Sequence, residues 1–93
     1  MDRATFEAEL AREGYEPITR RMDPNEVRPE HVHDFDARLL VLDGSMTIVS
    51  DGTARAYAPG ETFAIPAGHR HAEQTGPEGT SYIAGRRTPR SAA

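Results

Sequence analysis

The sequence predicts an all-β fold, a small barrel or jelly roll, preceded by one short N-terminal helix. Helical periodicity occurs once, near the start, and short strand-like runs then follow with turn signals at roughly 8 to 12 residue intervals. A length of 93 residues is short for an immunoglobulin-type sandwich and suits a compact barrel.

Ala4 to Glu13 carry Phe6, Leu10 and Ala11 at a helical interval among Glu and Arg, and Gly14 stands where a helix stop is expected. Ile18 to Met22 is a short strand candidate, closed by the turn signal Asp23-Pro24-Asn25. Arg38 to Leu42 is almost continuously apolar and ends in Asp43-Gly44. Met46 to Val49 follows and ends in Asp51-Gly52, so two hairpin signals frame a central strand pair. Thr53 to Ala58 alternates weakly before Pro59-Gly60. Thr62 to Ile65 is another short strand, and Pro66-Ala67-Gly68 a turn. His69 to Thr75 is a strand closed by Gly76 to Gly79, and Ser81 to Ala84 is the last. The resulting organisation is a helix at 1–14, a barrel at 15–87 and a flexible tail at 88–93.

Hydrophobic residues make up 37% and charged residues 28% of the chain, a globular balance rather than a disordered one. The absence of cysteine excludes disulfides, thiolate ligands and thiol nucleophiles, leaving nitrogen and oxygen as the available metal donors. No run approaches the roughly 18 apolar residues of a membrane span, so no membrane partner and a cytoplasmic location are expected. A formal charge of -4 argues against attraction to nucleic acid. Only Arg86, Arg87 and Arg90 cluster, and they read as a solvated basic tail.

All four histidines fall in two His-x-His pairs, His31/His33 and His69/His71. Side chains at i and i+2 of an extended strand share a face, so each pair can point its imidazoles to one place. By the same rule Glu73 shares the face of His71. It can act as an acid/base, support a ligand, replace one, or remain a partly exposed strand charge.

The stretch from Gly60 through Pro66-Ala67-Gly68 to His71 keeps the complete spacing of one of the two motifs of the cupins, and the chain resembles that superfamily, in its cupin 2 conserved-barrel type, over about Ile18 to Arg86. The other motif is met by His31-Val32-His33 and Gly44. Its usual glutamate falls on Ala37, or on Arg38 at the looser spacing, while Asp36 is one residue out of register and would need a bulge to face inward. Thr75 stands where the family often has asparagine.

The resemblance implies a small jelly-roll barrel with a metal site of His31, His33 and His71. The metal is then a divalent transition ion, zinc, iron, nickel, copper or manganese, which imidazoles hold better than magnesium or calcium. Three protein ligands leave positions open to water or substrate. Glu73 is the candidate catalytic residue. His69 lies in the preceding turn and is expected to be hydrogen-bonded or solvent-facing. Phe35, Phe63, Tyr57 and Tyr82 are expected to pack the core and rim.

Two functions follow. One is a metal-dependent enzyme acting on a small polar molecule, where the family licenses dioxygenases, isomerases and decarboxylases. The other is a metal-free or non-catalytic barrel that senses or binds a small-molecule ligand. No helix-turn-helix pattern accompanies the barrel, so direct DNA recognition is not expected. A homodimer is expected, since small barrels with open edge strands gain burial by pairing and cupins often cross N-terminal segments.

Overall fold

The computed structural model describes residues 1–89. One helix, α1 (Arg3–Arg12), precedes six strands: β1 (Glu16–Met22), β2 (Val27–His31), β3 (Asp36–Ser50), β4 (Thr53–Tyr57), β5 (Thr62–Ile65) and β6 (His71–Arg87). The Asp2 side chain accepts the Thr5 backbone N–H at 2.8 Å and caps the helix, which lowers the Asp2 pKa. Phe6 and Leu10 are fully buried, whereas Ala11, which shares their periodicity, faces solvent.

All strand pairs are antiparallel, and β3 and β6 run side by side for most of their length. Residues 36–44 of β3 and 80–87 of β6 pair with each other and are flanked by β5 and β1. Residues 46–49 of β3 and 72–75 of β6 pair again and are flanked by β4 and β2. The sheet thus folds over on itself about a corner shared by its two long strands, the form of a small jelly roll.

That corner corrects two expectations. Asp43-Gly44 is no hairpin: β3 continues through it, with register shifts on both sides that mark bulges against β6. Gly76 to Gly79 likewise bends β6 without ending it. In both places turn-forming residues redirect a strand from one half of the sheet to the other. The hairpin at Asp51-Gly52 does form, joining Ser50 and Thr53 as a closing pair. β2 was not expected at all. It is an edge strand with Pro29 inside an irregular stretch of pairing between Arg28 and His31, where a missing N–H is tolerated.

Alternation along β3 and β6 makes two cores. Leu39, Val41, Met46, Ile48, Tyr82 and Ala84 point into the fold with Met22, Ala37 and Ile65. Leu40 and Ile83 point outward and are covered by Phe6 and Leu10 of α1. The continuous apolar run at Arg38–Leu42 therefore reflects burial on both faces. Gly85 faces the helix, and a Cβ there would fall 2.6 Å from Leu10 Cδ2. Arg38 fastens α1 further through ion pairs with Glu9 and Glu13, each at 3.1 Å. Of the tail expected at 88–93, residues 90–93 lie outside the described residues. Arg86 and Arg87 belong to β6 rather than to a tail.

At the corner a Cβ on Gly44 would stand 2.0 Å from the carbonyl oxygen of Gly79, and Gly44 has φ 71. Gly44→Ala is expected to cost about 3 kcal/mol or more, combining left-handed strain with a backbone clash. Gly52→Ala, at φ 76 with nothing within 4 Å, is expected to cost only about 1 kcal/mol. Urea denaturation of both variants reads the difference, and equal losses would mean that the corner yields freely.

Candidate metal centre

His31 ends β2 and His71 begins β6, and the two are direct partners across the ladder. His33 lies just beyond β2, in the connection to β3. Glu73 follows His71 by two residues on the same inward face. Potential ligand atoms of His31, His33, His71 and Glu73 all lie within 4.8 Å of one another. His31/His33 and His71/Glu73 therefore keep the shared face expected of them, whereas His69 does not join His71. His71 is fully buried and Glu73 nearly so.

Hydrogen bonds fix how two of the imidazoles are presented. The Nδ1–H of His31 donates to the Pro29 carbonyl at 2.8 Å, and that of His71 to the His69 carbonyl at 2.9 Å. A carbonyl only accepts, so Nδ1 carries the proton in each ring and Nε2 carries the lone pair when the ring is neutral. Those Nε2 atoms face Glu73 Oε1, at 3.6 Å from His31 and 3.2 Å from His71. Glu73 Oε2 lies 3.7 Å from the Arg28 guanidinium. Two lone pairs and a carboxylate oxygen converging in a buried space need a proton or a cation between them.

The donor set fits a transition metal. Opposite ligands on one ion stand about 4.2 Å apart at bond lengths of about 2.1 Å, so this group needs only small inward shifts to close. Imidazole nitrogens with one carboxylate suit zinc, iron, nickel, copper or manganese better than an all-oxygen ion. Burial, followed by the neighbouring His31 and His71, holds the His33 pKa below its ordinary value, with Glu73 opposing. The neutral form of His33, the one a metal ion would require, is thereby favoured.

The remaining candidates take other places. Ala37, at the family's glutamate position, points inward and lines a cavity beside His33 and Glu73. Asp36 does not join the group. Its Oδ1 accepts the Ala67 N–H at 2.9 Å, and the Gly68 N–H donates to the His33 carbonyl at 2.8 Å. The Pro66-Ala67-Gly68 turn is thus tied to the segment that carries His33. His69 bonds to the Ser50 hydroxyl through Nε2 and stays outside the group. Thr75 donates to the Asp23 carbonyl at 2.6 Å and accepts the Glu26 N–H at 2.9 Å, fastening the turn before β2 to β6. Phe35 stacks on His33 with centroids 4.6 Å apart, while Tyr57 and Phe63 stack on each other at 4.3 Å. Sequence reasoning missed Arg20, Arg28 and Arg86, which also line the cavity. The shared strand face of Arg20 with Met22 on β1, and of Arg86 with Ala84 on β6, was the available signal for two of them.

A small folded-over antiparallel barrel with a partly buried His/Glu group beside its cavity defines a class of barrels that could hold a metal. Residues 19–84 match the cupin domain family, and the chain belongs to that family. Its fold is similar to that of a protein of unknown function from Rhizobium leguminosarum, with TM-score 0.75 and 20% identity over 81% of this chain and 71% of that one. The polyketide cyclase RemF from Streptomyces resistomycificus is similar at 31% identity and TM-score 0.66, over 77% of this chain and 52% of its own. The cupin domain of a transcriptional regulator from Enterobacter cloacae is similar at 15% identity and TM-score 0.69, over 82% and 83% of the two chains. No curated protein matches the chain. Among the described residues no helix is long and apolar enough to cross a membrane.

The depressed His33 pKa has a consequence for stability in the absence of metal. Below about pH 6.5 the unfolded chain binds a proton at this position that the folded chain resists, so stability falls as pH falls through that value. Chelator-treated protein is expected to lose more stability between pH 7.5 and pH 5.5 than its His33→Asn variant does. Equal losses in urea melts would remove His33 as the cause.

Proposed function

We propose that His31, His33 and His71 bind one divalent transition metal ion, that Glu73 supplies the carboxylate absent from Ala37, and that the barrel binds and transforms a small polar molecule beside them. The observation that carries this reading is the convergence of the His31 and His71 Nε2 atoms on Glu73 Oε1, with both rings oriented by their own strands. Such backbone anchoring is the usual support of a metal-binding imidazole. When bound, the metal would act as a Lewis acid toward an oxygen of the ligand.

This chain's residues do the rest. The imidazoles hold position. Glu73 is the one carboxylate in the group among the described residues, so it is also the candidate to take up a proton when a ligand displaces it. Arg28 stands 3.7 Å from its second oxygen and helps hold the carboxylate in position.

Protein purified without an affinity tag is expected to carry about one metal per chain by elemental mass spectrometry. His31→Ala and His71→Ala are expected to lose it. Glu73→Gln is expected to weaken metal affinity by about 10- to 100-fold while the fold persists. Unchanged metal content in both histidine variants would falsify the site. A chelator that removes the metal yet leaves any detected turnover intact would exclude the enzyme reading and keep the binding one.

We also propose a homodimer. Ile18 on the edge strand β1 and Val27 on the edge strand β2 are exposed apolar residues, at 38% and 66%, and β1 has a ladder partner on one side. Light scattering at micromolar concentration is expected to return twice the chain mass, and a monomer there contradicts the proposal.

A further inference from the structure

The cavity beside the His/Glu group measures about 60 Å³, with His33 and Glu73 at one side, Phe35, Ile65 and Tyr82 among its apolar walls, and arginines around it. Arg28 is already matched, 2.9 Å from Glu26 and 3.7 Å from Glu73. Arg20 and Arg86 are not. Among the described residues neither has an acidic partner within 4.0 Å. Glu16 stands opposite Arg86 in the β1–β6 ladder without pairing with it. Arg20 shares its strand face with the core residue Met22, and Arg86 shares its own with Tyr82 and Ala84. Both guanidiniums therefore stand at the solvent-exposed rim of the cavity. The Arg86 guanidinium lies 4.7 Å from the centroid of the Phe35 ring, a contact that steadies the group while leaving its N–H edges available.

We propose that this cavity takes the carboxylate group of a small organic acid, gripped by Arg20 and Arg86, with the rest of the molecule directed at the His/Glu group. The second contact rests on the metal reading given above; the arginine contact does not. Three features choose this ligand class. Two unmatched guanidinium forks offer the planar donor pattern that a carboxylate accepts in pairs. The apolar walls favour a ligand with a short hydrocarbon part. The small volume and the nearby Glu73 carboxylate favour a compact monoanion over a phosphate dianion, which like-charge repulsion penalises more.

The test uses metal-loaded protein and isothermal titration with acetate, pyruvate and propionate, each beside its neutral amide and beside inorganic phosphate. At least one acid is expected to bind saturably, with its amide and phosphate weaker by about tenfold or more, the scale of one charge-assisted contact. Arg20→Gln and Arg86→Gln are each expected to weaken that acid by about tenfold. Arg86→Lys, which keeps the charge and loses the fork, is expected to fall between. Both arginines are exposed, so the fold should persist, and a melting curve on each sample verifies it.

Failure of every acid to bind, equal binding of acid and amide, tighter binding of phosphate, or unchanged affinity in both glutamine variants would each overturn the proposal. Metal content measured on the same samples separates the two readings. Carboxylate binding that depends on the arginines, in protein that takes up no added metal, would refute the metal centre alone. Stoichiometric metal with no carboxylate binding would refute the arginine site alone.

Discussion

The packing of Gly44 against Gly79 is the constraint on which the rest of the molecule depends. Both long strands change direction at one point, and they can do so together because neither backbone carries a side chain there. A bend in one strand alone would break the β3–β6 ladder. A shared bend keeps it, shifting register on either side of the corner. The result is a closed space from few residues, since each long strand supplies wall to both halves of the sheet. A short chain has little apolar area to spare, and bending two strands in common is an economical way to enclose a cavity.

The site inherits its geometry from that bend. The first half of β6 carries His71 and Glu73, and the second half carries Tyr82, Ala84 and Arg86. Folding β6 on itself brings the His/Glu end and the cationic end of the cavity together. β2 is then held by Thr75 and by its ladder with β6, which sets His31 opposite His71. The turn before His71 is held by Asp36 and the His33 carbonyl. The two motif segments therefore brace one another, and Asp36 contributes as a brace instead of a ligand.

Much of this was legible in the chain. The all-β class, the single helix, the Asp51-Gly52 hairpin and the shared faces of His31/His33 and His71/Glu73 follow from local spacing, and local spacing is what a sequence displays directly. The corner was not legible, because Asp43-Gly44 and Gly76 to Gly79 use the same residues whether a chain reverses or merely bends. Only the length of the partner strand decides between those outcomes, and that is a tertiary fact. β2 was hidden by Pro29 and by its exposure, which leave it no apolar alternation. Arg20 and Arg86 escaped for a related reason: facing a cavity depends on which strands neighbour one another. Arg86 in particular read as part of a basic end because Arg87 and Arg90 lie close to it in sequence, although its own backbone is paired within β6.

The backbone anchoring of His31 and His71 has a consequence for how such a barrel diversifies. Each ring is oriented by a carbonyl two residues earlier in its own segment, so ligand geometry belongs to the main chain and is indifferent to most side-chain exchange. The cavity walls, by contrast, are side chains on strand positions that alternate freely. Chemistry and selectivity are therefore separable in this architecture. Lineages can exchange what the pocket admits, residue by residue, while the apparatus at its end stays assembled throughout.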